Sequence, residues 1–334
     1  SLEITHLDWE QLRRAYPVVD IALLEIYQRL TRRLFDYASC EDAQVAIYKG
    51  EVASLFDLVG LFSSSPAPWN EVFNAIDQEW ASWGRLNHKT LDWKWHLQPL
   101  EPLHSIEELL HNCPVLMLAG SWQNDLLLAD LKSIQFEFNV SVTLGGPINQ
   151  EPIPLFVPLR QPMPNTEFFA EHLLDQSRRL ILGREGITIL LLDDNHLRHK
   201  LASQLAAEFG KRVVSETTAP ETNGVVCCSC SWWLNYHQHL PVPDQLIIGI
   251  LPFPGLESPL IAARVNAFKK QGRDWFRDLL LPDVLHVIPY VVEPIRRNRG
   301  RLAILDGRLR SRSWGKQIFR TLEPWIPLER LLPN

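Results

Sequence analysis

Two neighbouring carboxylates are the first side chains whose position suggests chemistry. Asp193 and Asp194 directly follow a run of aliphatic residues, Ile187 to Leu192. Ligand sites of α/β proteins often lie where a parallel strand ends, so the pair is a candidate site. An Asp at this point also commonly caps a following helix, here one predicted to begin near His196. Both interpretations stay open from the sequence.

Clustered thiols and imidazoles suggest metal chemistry less strongly. Cys227 and Cys230 have the spacing of a zinc-ligand pair, but no second pair completes four ligands, so we expect buried, reduced thiols. His237 and His239 would share one face of a strand, and no neighbouring Cys or carboxylate completes their ligand set. We therefore predict no metal site.

Basic residues concentrate towards the C-terminal end. The net charge is -6, yet the stretch from Ile261 to Arg320 holds 14 Lys and Arg against 5 Asp and Glu. A basic segment on an acidic body favours an anionic partner such as a phosphate backbone. A solvated surface with internal ion pairs accounts for the same pattern equally well.

Common nucleotide-binding and hydrolase signatures are absent from the sequence. A P-loop needs Gly-Lys-Ser or Gly-Lys-Thr, whereas Gly210-Lys211 and Gly315-Lys316 are followed by Arg and Gln. An Asp-Glu pair to hold magnesium, a G-x-S-x-G elbow and a G-x-G-x-x-G loop are also missing. Because the chain begins at Ser1, we expect such motifs to lie upstream.

The composition predicts an ordinary folded protein. Hydrophobic residues make up 46% and charged residues 22%, and no apolar run approaches the roughly 20 residues that span a bilayer. We expect a cytoplasmic protein without a membrane segment.

The first hundred residues have the periodicity of helices. Leu23, Tyr27, Leu30 and Leu34 recur at helical spacing, and a helix capped by Asn70 is predicted to run to about Trp83.

Beyond residue 100, short aliphatic runs alternate with amphipathic stretches, which predicts a mostly parallel sheet covered by helices on both faces. The predicted strands are Pro114–Leu118, Val140–Leu144, Ile153–Val157, Ile187–Leu192, Val213–Val214, Val225–Val226, Gln245–Leu251 and Arg301–Leu305. The predicted helices are Thr166–Leu182, Asn195–Phe209, Pro259–Lys270 and Trp314–Leu322.

The order of features from about Pro99 to Trp325 resembles that of DinG/XPD-type superfamily 2 DNA helicases. Leu251-Pro-Phe253 matches the family's Leu-Pro-Phe passage, and Leu305-Asp-Gly-Arg308 matches its last strand; these are the most specific pieces. Weaker matches are Pro114–Trp122, Pro162–Asn165, Gly186–Asp194, Ser231–Trp233, Leu281–Asp283 and Trp314–Lys316.

The resemblance implies an α/β fold and three regions. Residues 161–334 correspond to the RecA-like second motor domain. Residues 101–160 correspond to the end of the first motor domain with linker strands, and residues 1–100 to a mainly helical, arch-like region.

The resemblance also implies site residues. The family's sixth motif, Gln-x-x-Gly-Arg-x-x-Arg, supplies arginines to the γ-phosphate. Here its last arginine is retained as Arg297, the catalytic candidate, with Arg296 beside it at the nucleotide interface, while Glu293 and Pro294 replace the Gly-Arg pair. Asp193-Asp194 replace the phosphate-contacting Thr-Ser of the fourth motif, where two carboxylates would repel a phosphate.

The function implied is that of an ATP-dependent DNA helicase. ATP and magnesium would bind in a missing N-terminal motor domain, and this portion would close over the nucleotide and move along single-stranded DNA. Trp232 and Trp233 would stack on bases, unless they pack in the core. The predicted phosphate contacts, unless they form a solvated face, are Arg299, Arg301, Arg310 and Arg312.

Two other functions remain open. The substituted motifs favour a catalytically degenerate helicase fold that serves as a scaffold for nucleic acid or protein. An unrelated α/β enzyme would have its site near Asp193-Asp194.

Overall fold

A computed structural model describes residues 1–37, 43–61, 65–76, 79–118, 131–132, 134–142 and 151–328. The chain divides into two compact units. The first is Ser1–Asn139 with Pro254–Leu279, and the second is Val140–Phe253 with Leu280–Asn334.

The first unit combines helices with an antiparallel sheet. Its early helices are α1 (His6–Ala15), α2 (Asp20–Tyr37), α3 (Lys49–Val59), α4 (Trp69–Ile76) and α5 (Glu107–Asn112), with 3₁₀ turns at Pro17–Val19 and His104–Ile106. Its strands are β1 (Leu2–Ile4), β2 (Gln44–Ala46), β3 (Trp80–Asn87) and β4 (Asp92–Pro99). They pair in the order β1-β4-β3-β2, every pair antiparallel.

The strands β3 and β4 contradict the prediction that one helix runs from Asn70 to about Trp83. Helix α4 ends at Ile76, and Trp80 already begins a strand. In β4 the residues alternate, with Trp93 and Trp95 buried and Lys94 exposed, as expected of a half-buried strand. Aromatic residues favour strands, and Trp95 packs in the core beside Trp9.

The second unit contains a parallel sheet of seven strands. These are β5 (Ile153–Phe156), β6 (Thr188–Leu191), β7 (Val213–Ser215), β8 (Val225–Cys228), β9 (Gln245–Ile248), β10 (Arg301–Ile304) and β11 (Trp325–Pro327). The order is β11-β5-β10-β9-β6-β8-β7, and every pairing is parallel.

Helices lie on both faces of this sheet. They are α6 (Phe169–Ile181), α7 (Asn195–Phe209), α8 (Cys230–Tyr236), α10 (Leu281–Arg297), α11 (Arg308–Ser311) and α12 (Gly315–Thr321), with 3₁₀ turns at Gly210–Arg212 and His237–His239. A π-turn at Phe276–Leu280, where the chain passes from the first unit to the second, directly precedes α10. Helix α9 (Pro259–Lys270) belongs to the first unit and packs on β3 and β2.

Alternate residues of the central strands enter different cores. Ile189 and Ile248 join a core with α8 and α10, whereas Leu190 and Ile247 join a core with α6 and α7. The strands are therefore buried on both faces, which requires the continuous aliphatic runs seen in the sequence. The predicted class, a RecA-like α/β fold with a mostly parallel sheet, is confirmed.

Other predicted boundaries differ from the structure. Residues Pro114–Leu118 form no strand, and neither do Val140–Val142. The rest of the second predicted strand, Thr143–Leu144, and the remainder of the family-like segment, Ala119–Trp122, lie outside the described residues. The predicted boundary at residue 161 is late, because β5 is already part of the parallel sheet. The mainly helical region of residues 1–100 also carries the four-stranded sheet.

The close packing at the start of α12 can be tested by a substitution of Gly315. A Cβ at this position would fall 1.8 Å from the carbonyl oxygen of Leu309, so Gly315→Ala forces the backbone to shift. We expect the free energy of unfolding to fall by about 1–3 kcal/mol, measured by urea denaturation. Gly50→Ala, where a Cβ meets nothing within 4 Å, is the control and should lose none. Equal stability of the two variants would contradict this packing.

Candidate functional site at the carboxyl edge of the parallel sheet

The two most specific family-like segments lie side by side. Strands β9 and β10 pair in parallel, with Ile248 opposite Ile304. Leu251-Pro-Phe253 follows β9 and Leu305-Asp-Gly-Arg308 follows β10, so both segments lie at the carboxyl edge of one sheet. This is the edge where open α/β sheets bind ligands.

Asp306 joins these two segments. Its carboxylate is fully buried and accepts hydrogen bonds from the backbone N–H of Leu251 and of Arg308, each 2.9 Å long. The Arg308 guanidinium donates to the same carboxylate at 2.6 Å and lies 4.9 Å from the ring centre of Phe253. A buried charge is tolerated when it is paired and hydrogen-bonded in this way. The Leu-Asp-Gly-Arg segment therefore connects the chain after β10 to the chain after β9, and its arginine is bound to Asp306 of the same segment.

The two carboxylates after β6 have separate structural tasks. The Asp194 side chain accepts a hydrogen bond from the N–H of Leu197 at 2.8 Å, so the interpretation as a helix N-cap is confirmed. Asp193 accepts a 2.7 Å bond from the N–H of Cys230, at the start of α8. Burial raises the pKa of Asp193, opposed by that bond and by the charge of Arg198.

An ion pair that the sequence analysis did not predict joins the segments that follow β6, β7 and β8. Arg198 donates to the carbonyl oxygen of Leu192 at 2.8 Å and lies 3.5 Å from the Glu216 carboxylate. Glu216 in turn accepts from the N–H and hydroxyl of Ser229 at 3.1 and 2.9 Å. Arg198 lies in the first turn of a predicted helix, but no sequence signal links it to a Glu 18 residues away.

The thiols after and within β8 are buried. Burial raises the pKa of Cys227 and of Cys230 to about 12, and raises that of Cys228 as well. Their chemistry is that of protonated, packed side chains. The described residues contain no grouping of three or more His, Cys, Asp or Glu side chains able to hold a metal ion.

The arginines predicted to face a nucleotide lie at the opposite, amino edge of the sheet. Arg296 and Arg297 end helix α10, just before β10 begins. Arg296 donates to the carbonyl oxygens of Pro324 at 2.9 Å and Leu322 at 2.6 Å, and burial lowers its pKa. This guanidinium ties the chain before β11 to the end of α10, and its role at a nucleotide interface stays a prediction.

Arg297 is exposed and paired within its own helix. Its Nε lies 2.8 Å from the carboxylate of Glu293, one turn earlier. Arg297 is the last residue of this helix, and its role as a nucleotide-facing arginine stays a prediction.

Two of the predicted DNA-contacting arginines share the amino edge. Arg299 pairs with Glu151 at 2.8 Å. Arg301 donates to the carbonyl oxygen of Leu180 at 3.0 Å, and burial lowers its pKa to about 10. The other two, Arg310 and Arg312, follow the carboxyl end of β10 and are exposed. The predicted arginine set is therefore divided between two edges.

The two tryptophans of α8 also differ. Trp233 is fully buried, and its indole N–H donates to the carbonyl oxygen of Val291 at 2.9 Å, so the prediction that it stacks on bases is wrong. Trp232 is half-buried, with its ring 5.2 Å from that of Tyr236. Its position after β8 leaves it at the carboxyl edge.

Known proteins similar to this chain are helicases. No protein-family model matches it. The chain is 26% identical over 250 residues to the ATP-dependent DNA helicase YoaA of Escherichia coli (strain K12), covering 68% of this chain and 38% of that protein. It is 29% identical over 125 residues to the protein of the same name from Haemophilus influenzae, covering 36% of this chain and 20% of that protein. A solved XPD helicase superposes on 98% of this chain and 65% of its own, with a TM-score of 0.52 and 9% identity.

The chain is related to the XPD/DinG-type superfamily 2 helicases. It is a DNA helicase-like protein with a RecA-like sheet, and it spans 38% of the length of the Escherichia coli relative. The likeness to XPD helicase concerns the fold. Among the described helices, none combines the length and apolar character that crossing a bilayer demands.

Asp193 allows a test by pH. Because burial raises its pKa above the value of about 3.9 in an unfolded chain, the folded state favours the protonated form. Its stabilising contribution is complete below the unfolded pKa and is lost as pH rises through the folded pKa. Asp193→Asn keeps an acceptor for the Cys230 N–H and cannot ionise.

We expect Asp193→Asn to be more stable than the wild type at pH 7, with the difference shrinking towards pH 4. Urea denaturation across this range measures it. A variant less stable at pH 7 would show that the ionised carboxylate is favoured in the fold.

Proposed function

We propose that this chain is the C-terminal portion of an ATP-dependent DNA helicase, and that it contacts single-stranded DNA at the carboxyl edge of its parallel sheet. ATP and magnesium would bind in an N-terminal motor domain outside this chain. The observation that carries the proposal is the Asp306 junction, because it joins the two segments that most resemble the family on adjacent strands. The sequence similarity to ATP-dependent DNA helicases supports the same conclusion.

The exposed groups at this edge suit a nucleic acid strand. Trp232 offers a half-buried indole after β8, and Arg312 offers an exposed guanidinium with no side-chain partner in the described part of the chain. Aromatic rings bind bases by stacking, and guanidinium groups bind phosphates. Strand contacts therefore belong to these residues rather than to the buried Trp233 or the internally bonded Arg301.

A second candidate is a helicase fold that binds nucleic acid without hydrolysing ATP. Asp193 and Asp194 stand where the family's phosphate-contacting Thr-Ser is implied, and Glu293 and Pro294 replace the Gly-Arg pair of the sixth motif. A missing arginine finger slows nucleotide hydrolysis by about 10³-fold or more. This candidate would bind single-stranded nucleic acid through the same residues but would not hydrolyse ATP.

Base stacking is tested with Trp232→Ala. If the indole stacks on a base, binding of a fluorescein-labelled dT16 strand should weaken by about 5- to 150-fold, equivalent to about 1–3 kcal/mol. The slope of log Kd against log salt should stay unchanged, because no charge is lost. Trp232→Phe keeps an aromatic ring and should restore most of the affinity. Anisotropy titrations measure all three proteins, and unchanged binding by Trp232→Ala would exclude stacking at this residue.

ATP turnover separates the two candidates. In the protein made from its complete gene, the helicase proposal expects hydrolysis that single-stranded DNA stimulates. Arg297→Ala removes the arginine implied to face the nucleotide and should slow that turnover by about 10³-fold. Turnover within about twofold of the wild type would overturn that role for Arg297. Strand binding without any turnover would favour the scaffold.

A further inference from the structure

A basic recess opens at the carboxyl ends of β5 and β10. It has a volume of about 520 Å³ and lies between residues 158–162, after β5, and residues 307–311, after β10. This volume is within the range of about 300–1,000 Å³ of small-molecule sites. Its charged lining residues are Arg160 and Arg310, and within the described parts of the chain no carboxylate lines it.

Arg310 is held in place before any ligand arrives. Its Nε and one terminal nitrogen donate to the carbonyl oxygen of Val157 at 3.3 and 2.9 Å. Its guanidinium carbon lies 6.0 Å from the ring centre of Phe319. A guanidinium already ordered in this way loses little freedom when it binds an anion.

Gln161 leaves an acceptor unused at the same recess. Its Nε2 donates to the carbonyl oxygen of Ile304 at 3.4 Å, which orients the amide. Its Oε1 is buried and has no hydrogen-bond partner in the described ranges. A buried acceptor without a donor is unfavourable, and an N–H group on a ligand in the recess would satisfy it.

The walls of the recess are close to each other at Gly307. A Cβ on Gly307 would lie 2.5 Å from the carbonyl oxygen of Pro162 and 2.7 Å from that of Gln161. The absence of a side chain lets the segment after β10 approach the segment after β5, which brings Arg310 to the same recess as Arg160.

We propose that this recess binds one nucleotide unit of a single-stranded nucleic acid, with Arg160 and Arg310 on its phosphates and the Oε1 of Gln161 accepting an N–H of its base. Every base has at least one N–H on its pairing edge, so the contact fits any sequence. The proposal rests on the proposed strand-binding function and adds a named subsite to it. A free nucleotide carries the same chemistry, and the experiment separates the two sources.

The charge contribution is tested with Arg160→Ala/Arg310→Ala. Each phosphate contact to a single strand contributes about 0.7 to the salt slope, so the double variant should lose about 1.4 and bind dT16 about 25-fold more weakly at 0.1 M salt. Arg160→Ala alone should lose about 0.7 and about fivefold. Arg310 donates hydrogen bonds to Val157, so its replacement can affect the fold. Arg160 is exposed, and Arg160→Ala alone therefore tests the charge in a protein that keeps its fold. The matched control, Arg179→Ala, removes an exposed arginine of α6 and should match the wild type.

The base contact is tested with Gln161→Leu against two strands. Wild type should bind dT16 more tightly than a 16-mer of abasic sites. Gln161→Leu should reduce the ratio between these two affinities and leave the slope of log Kd against log salt unchanged. If the ratio is the same in Gln161→Leu as in wild type, the assigned contact is overturned.

Competition distinguishes a strand from a free nucleotide. Thymidine monophosphate should displace labelled dT16 only at millimolar concentration. Unlabelled dT16 should displace it at a concentration near the Kd of dT16. If the monophosphate competes as well as the strand, the recess is a site for free nucleotides and the proposal is overturned.

Failure of the recess and failure of the proposed function give different results. If wild type binds dT16 and both arginine variants bind it with the same affinity and salt slope, the recess is overturned while strand binding stands. If wild type does not bind dT16, both are overturned.

Discussion

One buried carboxylate sets the geometry of the carboxyl edge. Asp306 is fully buried and accepts hydrogen bonds from the backbone N–H of Leu251, which follows the neighbouring strand β9, and from the guanidinium and N–H of Arg308. An uncompensated charge at this depth would be strongly unfavourable, so the segments after β9 and β10 are constrained to one arrangement. Phe253 and Trp314, with ring centres 5.2 Å apart, pack around the same junction. The recess beside Gly307 depends on this arrangement, since Gly307 is the residue after the carboxylate.

Much of the second unit follows from local sequence patterns. Helix α7 has the predicted bounds, Asn195–Phe209, and so does helix α9 of the first unit, Pro259–Lys270. Aliphatic runs identify strands that are buried on both faces, because only apolar side chains can fill both cores. In the first unit β4 carries an alternating pattern, Trp93-Lys94-Trp95-His96, but the spacing of Trp80 and Trp83 is equally compatible with one more helical turn. Pairing with β4 decides between them, and pairing is not a local property.

The candidate site was harder to predict than the fold. Residue type identifies arginines and tryptophans, but the partners that decide their roles are distant in sequence. Arg296 bonds to carbonyl oxygens 26 and 28 residues away, and Trp233 to one 58 residues away. Whether a residue precedes or follows its strand does follow from the sequence. That criterion alone places Arg296, Arg297, Arg299 and Arg301 at the amino edge, or at the strand's first residue, and Arg310 and Arg312 at the carboxyl edge.

The division of the chain into units affects how it can be cut. Residues Pro254–Leu279 belong to the first unit although they lie between two stretches of the second, and their helix α9 packs on β3 and β2. The backbone therefore passes from one unit to the other three times. No single cleavage point yields two complete units: a fragment ending near Asn139 lacks α9, and one starting there carries α9 without the sheet on which it rests. Limited proteolysis or gene dissection at that point would thus separate α9 from the antiparallel sheet on which it packs. A fragment starting near residue 140 in which a short linker replaces residues 254–279 would keep the parallel sheet with all its strands.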